Sequence, residues 1–196
     1  DAVDYAASTA GVVVNLATGV LSGGYAQGDH LTGIENAIGS AYADQLTGDG
    51  GANVLTGGAG DDVLDGGAGA DTVDGGAGID TADYSASIGA VAVNLTTGIG
   101  SGGNADGDVL VAIENLTGGA GDDALTGSAA ANLLRGGAGD DVLAGLGGAD
   151  TIDGGSGNNT ADYGASGSAV YVDLASFAIA TPAGSVTGAM ARGGDA

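Results

Sequence analysis

A nine-residue repeat is the feature of this sequence that most restricts its fold. Cut from Gly39, the chain reads GSAYADQLT, GDGGANVLT, GGAGDDVLD, GGAGADTVD and GGAGIDTAD, and cut from Gly118 it reads GGAGDDALT, GSAAANLLR, GGAGDDVLA, GLGGADTID and GGSGNNTAD. These units share a first half of small residues and glycine, Asp or Asn at position six and an apolar residue at position eight. Such tandem repeats are typical of solenoids, in which each unit packs against its neighbours.

A second, longer repeat has a period of 79 residues. Asp1, Asp4 and Tyr5 recur as Asp80, Asp83 and Tyr84, and again as Asn159, Asp162 and Tyr163; Ile34-Glu35-Asn36 recurs as Ile113-Glu114-Asn115. The predicted organisation is the end of a preceding module with linking strands in 1–38, one of them at 12–16, a first run of nonapeptides in 39–83, a linking segment in 84–117 with a strand at 91–95, a second run in 118–162, and the truncated start of a third module in 163–196. In that third module, 170–174 repeats 91–95 and Gly194-Asp195 repeats Gly107-Asp108. We interpret the chain as part of a longer tandem array; disordered or degenerate end repeats are the alternative.

The charge composition excludes several kinds of partner. The chain of 196 residues has 25 acidic residues, of which 23 are aspartate, and only two arginines with no lysine. Without a basic face it is not expected to bind nucleic acid or an anionic membrane surface. It has no cysteine for disulfides or thiolate metal sites, and no apolar stretch long enough to insert into a membrane.

The position-eight residues predict a thin core. Side chains alternate along a strand, so in a three-residue segment centred on position eight only the middle side chain points inward. One buried aliphatic side chain contributes roughly 1.5 to 3 kcal/mol, which cannot offset the ordering of six turn residues in each unit. Glycine-rich turns direct carbonyl oxygens toward a common point and the position-six aspartate adds a carboxylate. These hard oxygen ligands suit Ca²⁺ better than Mg²⁺.

The nonapeptides resemble the signature GGxGxDxUx of the repeats-in-toxin (RTX) proteins. GGAGDDVLD at 57–65 and GGAGDDVLA at 136–144 match it fully. The resemblance implies an all-β fold, a right-handed parallel β-roll, with calcium ions bound between each loop and the second loop after it. It also implies a secreted bacterial protein, exported by type I secretion, that folds on binding calcium outside the cell.

By this resemblance, a site takes carbonyls of positions two and four and the position-six side chain from one loop, and carbonyls of positions one and three and the position-six side chain from the second loop. About six calcium ions are implied. In the first run the position-six pairs are Asp44 with Asp62, Asp62 with Asp80, and Asn53 with Asp71; the implied carbonyls belong to Ser40, Tyr42, Gly57, Gly58, Ala59, Gly60, Gly66, Ala68, Gly75 and Ala77. In the second run the pairs are Asp123 with Asp141, Asp141 with Asn159, and Asn132 with Asp150; the implied carbonyls belong to Gly119, Gly121, Gly136, Gly137, Ala138, Gly139, Gly145, Gly147, Gly154 and Ser156. Each asparagine removes a carboxylate, so we expect weaker binding at Asn53, Asn132 and Asn159.

The linking segments leave some roles open. Asp29 and Asp108 are either extra ligands or, as we favour, residues that bond turn amides. Glu35 and Glu114 are either ligands or solvated turn residues. We expect Tyr5, Tyr84 and Tyr163 to shield the end of the thin core. His30 is interpreted as incidental, because a zinc site would need further histidine or cysteine ligands.

The sequence predicts a binding and structural role rather than catalysis. It has one histidine, no lysine and no cysteine, and its carboxylates lie in the predicted calcium loops. We favour a structural or adhesive array of a surface layer, matrix or adhesin, in which neighbouring copies are possible partners. The alternative is the accessory region of a secreted metalloprotease, lipase or epimerase, or a toxin. Ice binding is a third, weaker candidate, because the position-nine row from Thr47 to Asp83 is mixed and charged.

Overall fold

The regular secondary structure of the described residues consists of short strands and two single-turn 3₁₀ helices, Gly24–Ala26 and Gly103–Ala105. The computed structural model describes residues 1–170 and the strand Ser185–Val186. Before and within the first run lie β1 (Ala2–Asp4), β2 (Val13–Asn15), β3 (Val20–Ser22), β4 (Asn36–Ile38), β5 (Gln45–Asp49), β6 (Val54–Ala59), β7 (Val63–Gly67), β8 (Thr72–Ala77) and β9 (Thr81–Asp83). The linking segment and second run contain β10 (Ala92–Asn94), β11 (Ile99–Ser101), β12 (Val109–Val111), β13 (Asn115–Thr117), β14 (Ala124–Thr126), β15 (Leu133–Arg135), β16 (Val142–Ala144), β17 (Thr151–Asp153) and β18 (Asn158–Ala161), followed by β19 (Ser185–Val186).

These strands form two sheets, and consecutive strands of a nonapeptide run alternate between them. Sheet I has the order β1-β4-β6-β8-β12-β11-β10-β14-β16-β18-β19, and sheet II has the order β17-β15-β13-β9-β7-β5-β2-β3. Within a run, each strand pairs in parallel with the second strand after it, as Leu46 with Leu64 in sheet II and Leu55 with Val73 in sheet I. This arrangement is consistent with the expected parallel β-roll.

The roll continues from the first run into the second. In sheet II, β13 pairs in parallel with both β9 and β15. In sheet I, the antiparallel strands β10, β11 and β12 lie between β8 and β14. The strands expected at 12–16 and 91–95 are the shorter β2 and β10.

Equivalent strands of the two modules lie in opposite sheets. For example, β5 is in sheet II whereas β14, 79 residues later, is in sheet I, and β4 is in sheet I whereas β13 is in sheet II. Each module is therefore related to the next by a half-turn about the roll. The expected start of a third module at 170–174 and its Gly194-Asp195 feature lie outside the described residues, apart from Val170.

The core follows the position-eight column. Its leucines and valines from Leu46 to Val73 and from Leu125 to Leu143 are almost fully buried, whereas Ile152 is partly buried. Tyr5 and Tyr84 are buried in the same cluster, as their expected shielding role requires. Tyr163 is 46% exposed among the described residues.

Candidate metal centres

The side chains at position six form two columns, one beside each sheet, because each lies just before or at the start of the short strand of its own unit. The sheet II column contains Asp44, Asp62, Asp80, Asn132 and Asp150, with Glu114 of the linking segment between Asp80 and Asn132. The sheet I column contains Asn53, Asp71, Asp123, Asp141 and Asn159, with Asp108 after Asp71. All but Asp150 and Glu114 are buried.

Each of the six position-six pairs is joined by a hydrogen bond. The backbone N–H of the earlier residue donates to a side-chain oxygen of the later one. In the first run, Asp44 donates to Asp62, Asp62 to Asp80 and Asn53 to Asp71, each over 2.8 Å. In the second run, Asp123 donates to Asp141 over 2.8 Å, Asp141 to Asn159 over 2.9 Å and Asn132 to Asp150 over 3.0 Å. In every predicted pair, the structure therefore places the side chain of the later residue against the backbone of the earlier one.

Four buried carboxylates keep one oxygen unpaired. Among the described residues, the Oδ2 atoms of Asp62, Asp71, Asp80 and Asp141 are buried and have no hydrogen-bond partner. A buried carboxylate oxygen without a partner is costly, and native proteins satisfy nearly all such atoms. These four oxygens mark the places where a cation would compensate the buried charge.

The first carboxylate of each run is instead fully hydrogen-bonded. Asp44 accepts the N–H of Val12 over 2.6 Å and of Ser40, and Asp123 accepts the N–H of Val91 over 2.8 Å and of Gly119 over 2.6 Å. The residue before β2 and the residue before β10 thus each donate a hydrogen bond to the first carboxylate of the following run. A cation at the first site of each run would share these oxygens with backbone amides.

Glycine at position one leaves open the space beside each carboxylate. A Cβ built on Gly57 would collide with Asp62 Oδ2 and lie 2.7 Å from the carbonyl oxygen of Gly75, which belongs to the second loop after it. A Cβ on Gly136 would likewise meet Asp141 Oδ2 and lie 2.6 Å from Gly154 O. The space that a side chain would fill is therefore lined by one carboxylate oxygen and one carbonyl oxygen.

Burial makes the charged form of these aspartates unfavourable without a cation. It raises the pKa of Asp62 and of Asp71 to about 6, despite the opposing effect of the backbone hydrogen bond that each accepts. Burial also raises the pKa values of Asp80 and Asp141, and neighbouring carboxylates add to the shift. A cation bound between the loops would reverse this penalty, since it favours the ionised form.

The residues present fit calcium. Within residues 1–170, no three acidic or histidine side chains converge on one point, so an ion held by a position-six pair must complete its coordination with backbone carbonyls. Some predicted carbonyl ligands accept a hydrogen bond from an adjacent loop, namely those of Ser40, Ala77, Gly119, Gly137 and Ser156. Each carbonyl oxygen has a second lone pair for an ion. When bound, calcium would neutralise the paired carboxylates and clamp successive loops.

Asn53 and Asn132 differ from the aspartates in the hydrogen bonds that they make. The side-chain NH₂ of Asn53 donates to the carbonyl of Glu35, and that of Asn132 donates to the carbonyl of Glu114, both over 2.6 Å. Aspartate has no donor and could not make this bond when ionised. The two asparagines therefore connect each run to the linking segment, which the sequence pattern alone did not indicate.

Both linking aspartates accept a hydrogen bond from a tyrosine, and Asp108 also accepts one from a backbone amide. Asp108 is buried; its Oδ1 accepts the N–H of Asp71 over 2.8 Å and its Oδ2 accepts the Tyr84 hydroxyl over 3.0 Å. Asp29 accepts the Tyr5 hydroxyl over 2.8 Å. The amide bond to Asp108 agrees with the favoured interpretation. Tyr5 and Asp29 recur 79 residues later as Tyr84 and Asp108. This joint recurrence is the sequence signal that could have indicated the contact between tyrosine and aspartate.

Comparison with known protein families identifies the repeats. The sequence profile of the RTX calcium-binding nonapeptide repeat matches four times, over residues 31–64, 47–82, 113–141 and 126–161. These matches together cover just over half of the chain, and the chain belongs to this family. It is a calcium-binding RTX repeat region with a β-roll fold. No curated protein matches the chain. In the described residues, no helix is of sufficient length and hydrophobicity to cross a membrane.

Proposed function

We propose that this region is a non-catalytic, load-bearing repeat of a secreted bacterial protein of the surface-layer, matrix or adhesin type. In this proposal the modules form one calcium-clamped rod, which folds after export into a calcium-rich medium. The modules would serve as a spacer or as a cohesive element, and neighbouring copies of the protein would be their partners.

The observation that supports this proposal is the continuity of the roll across the module junction. Strand β13 pairs with the last strand of the first run and with a strand of the second run. The hydrogen-bonded sheet II column likewise passes from Asp80 through Glu114 to Asn132. Modules joined in this way transmit force through backbone hydrogen bonds rather than through a flexible linker.

The absence of a catalytic role is part of the proposal. The buried carboxylates are occupied by the ladder of backbone amides or face the glycine-lined spaces between loops. A general acid or base must instead reach a substrate. We expect no hydrolase activity of the purified, calcium-loaded chain on peptide, ester or glycan substrates.

The proposed array can be tested by measuring how the length of the molecule increases with the number of modules. Chains of one, two and three 79-residue modules are compared in calcium by small-angle X-ray scattering. A continuous rod predicts that the maximum dimension rises by a constant increment per module while the cross-section stays the same. A dimension that grows less than linearly, with a widening cross-section, would contradict it. An HExxH helix or a GxSxG elbow elsewhere in the same polypeptide would favour the accessory region of an enzyme instead.

A further inference from the structure

Glu114 occupies the place of a position-six aspartate at the module junction. Its Oε2 accepts the backbone N–H of Asp80 over 2.9 Å, as Asp80 Oδ1 accepts the N–H of Asp62 over 2.8 Å. Glu114 therefore follows Asp80 in the sheet II column, although it belongs to the linking segment and not to a nonapeptide. The ladder of acidic side chains does not stop where the repeat motif stops.

The carbonyl of Ala112 takes the place of a position-one carbonyl in the same way. A Cβ built on Gly75 would meet Ala112 O, just as a Cβ on Gly57 would lie 2.7 Å from Gly75 O. Ala112 has φ +48°, a left-handed conformation that is strained for alanine by about 1 to 2 kcal/mol. This strain is retained at a residue whose carbonyl faces the space beside Gly75.

An unpaired buried oxygen points to an ion at this place. Asp80 is fully buried, and within residues 1–170 its Oδ2 has no hydrogen-bond partner. The same oxygen lies 2.6 Å from the position of the Cβ built on Gly75, so it faces the space that Ala112 O also faces. Asp80 lies five positions after Gly75 in the nonapeptide, but Glu114 lies only two positions after Ala112. The extra methylene of glutamate compensates for the shorter loop.

We propose that each linking segment completes an additional calcium site, which at the described junction is formed by Asp80 Oδ2, the carbonyl of Ala112 and the carboxylate of Glu114. This site lies outside the nonapeptide pattern and adds one ion to those of the first run. This inference rests on the binding of calcium by the RTX repeats of the chain. The ion would clamp the last loop of one run to the linking segment, and so join consecutive modules.

The preceding module repeats the parts of this site. Gly33, 79 residues before Ala112, has φ +64°, so the same left-handed turn recurs there with glycine. Glu35 Oε2 accepts the terminal amine of Asp1 over 2.6 Å, as Glu114 Oε2 accepts the N–H of Asp80. Asp1 corresponds to Asp80 in the 79-residue period, so each proposed ligand has an equivalent in the preceding module.

The other linking carboxylate provides a contrast. Asp108 extends the sheet I column beyond Asp71, but its second oxygen accepts the Tyr84 hydroxyl. Its carboxylate is thus already occupied by an amide and a hydroxyl. The proposal therefore applies to the glutamate of the linking segment and not to the aspartate.

The test counts calcium ions in matched variants of the full chain. Glu114→Gln keeps a side-chain oxygen for the N–H of Asp80 but removes the charge. Asp108→Asn makes the same change at the linking carboxylate whose oxygens are already occupied by an amide and a hydroxyl. Native mass spectrometry and isothermal titration with CaCl₂ give the number of ions per chain, and circular dichroism verifies the β-roll in each variant.

Glu114→Gln is expected to lose one calcium ion, or to bind one ion at least tenfold more weakly, while Asp108→Asn binds as many ions as the wild type. A Glu114→Gln chain that is folded and binds the wild-type number of ions with wild-type affinity would overturn the proposal. Loss of an ion in both variants would also overturn it, because Asp108 is not a ligand of the proposed site. A wild-type chain that binds no calcium would instead refute calcium binding by the whole region.

Discussion

The two nonapeptide runs have the same length and phase, but the first is more regular than the second. Strands β5 to β8 of the first run contain five or six residues, whereas β14 to β17 of the second run contain three. Three of the four unpaired carboxylate oxygens belong to the first run, and only that of Asp141 belongs to the second. The nonapeptide period therefore specifies the roll, while individual turn residues decide how well its loops pair.

Three equivalent positions account for much of this contrast. Gly67, Asp80 and Asp49 of the first run correspond to Leu146, Asn159 and Ser128 of the second. Both Gly67, with φ +87°, and Leu146, with φ +68°, have left-handed backbones, but only glycine adopts this conformation without strain. Asn159 has one carboxylate charge less than Asp80. The difference between the runs can therefore be tested by replacing one residue of a run with the residue at the equivalent position of the other run.

The largest effect that we expect is a dependence of the calcium-free fold on pH. Folding raises the pKa of Asp62 and Asp71 to about 6, above the ordinary value of 3.8 that they have when unfolded. A raised carboxyl pKa destabilises the fold fully above pH 6 and not at all below about pH 3.8, so stability increases as the pH falls through this window. Circular dichroism in chelator between pH 7.5 and 4.5 measures it, as a gain of β structure at the acidic end of this range.

The two runs should contribute unequally to this pH dependence. The double variant Asp62→Asn, Asp71→Asn of the first run should reduce the pH dependence of the calcium-free fold more than Asp141→Asn of the second run. A response that is unchanged in the double variant would show that these buried carboxylates are not its source.

Exchange of the position-two residues should have the next largest effect. Gly67→Leu puts a bulky side chain at φ +87°, where its Cβ would collide with the carbonyl oxygen of Asp49, so it should destabilise the calcium-loaded chain by about 2 kcal/mol. Leu146→Gly relieves strain and should stabilise it by up to about 1 kcal/mol. Denaturant unfolding in saturating calcium gives both values. Equal destabilisation by the two substitutions would refute the difference in strain.

Exchange of Asp80 and Asn159 tests the contribution of one charge. Asp80→Asn removes a carboxylate from the last loop of the first run and should increase the calcium concentration needed for half-maximal folding by about tenfold, which corresponds to about 1.4 kcal/mol. Asn159→Asp should lower that concentration in the second run. Calcium titrations followed by circular dichroism compare the two. If neither substitution shifts the midpoint, position six does not set the affinity.

The smallest effect should come from Asn132→Asp. This substitution removes the hydrogen bond to the carbonyl of Glu114 and should destabilise the fold by about 1 kcal/mol. Asn53→Asp is its counterpart in the first run, where Glu35 provides the carbonyl. Thermal unfolding of both variants at one calcium concentration measures the change. If both substitutions increase the stability, the missing carboxylate charge matters more at these positions than the hydrogen bond that the asparagine donates.

Periodicity predicted the core, and the resemblance to the RTX proteins predicted the pairing of loops. The buried position-eight column follows from a spacing of nine residues, whereas the six position-six pairs follow from the family's roll, in which two units complete one turn. The sequence did not predict the insertion of β10 to β12 into sheet I, or the half-turn between modules. Both features depend on which sheet the strands of the linking segment join. The linking segment lacks the nine-residue repeat, so its sequence has no periodic signal that assigns its strands to a sheet.

The roles of Asn132 and Glu114 could not be read from the motif for a related reason. Comparison with the RTX signature presents an asparagine at position six as a weakened ligand. Only the three-dimensional arrangement shows that its NH₂ group bonds the carbonyl of Glu114, 18 residues before it. Likewise, the role of Glu114 depends on Asp80, which is 34 residues distant in sequence.

We infer that bound calcium, and not the apolar core, stabilises this fold at neutral pH. This dependence is measured by circular dichroism of the chain at pH 7.5 during titration with CaCl₂, and again after addition of excess chelator. We expect an unfolded spectrum without calcium, a cooperative change to a β spectrum as calcium is added, and complete reversal by chelator. A β spectrum that is the same with and without calcium at pH 7.5 would contradict it.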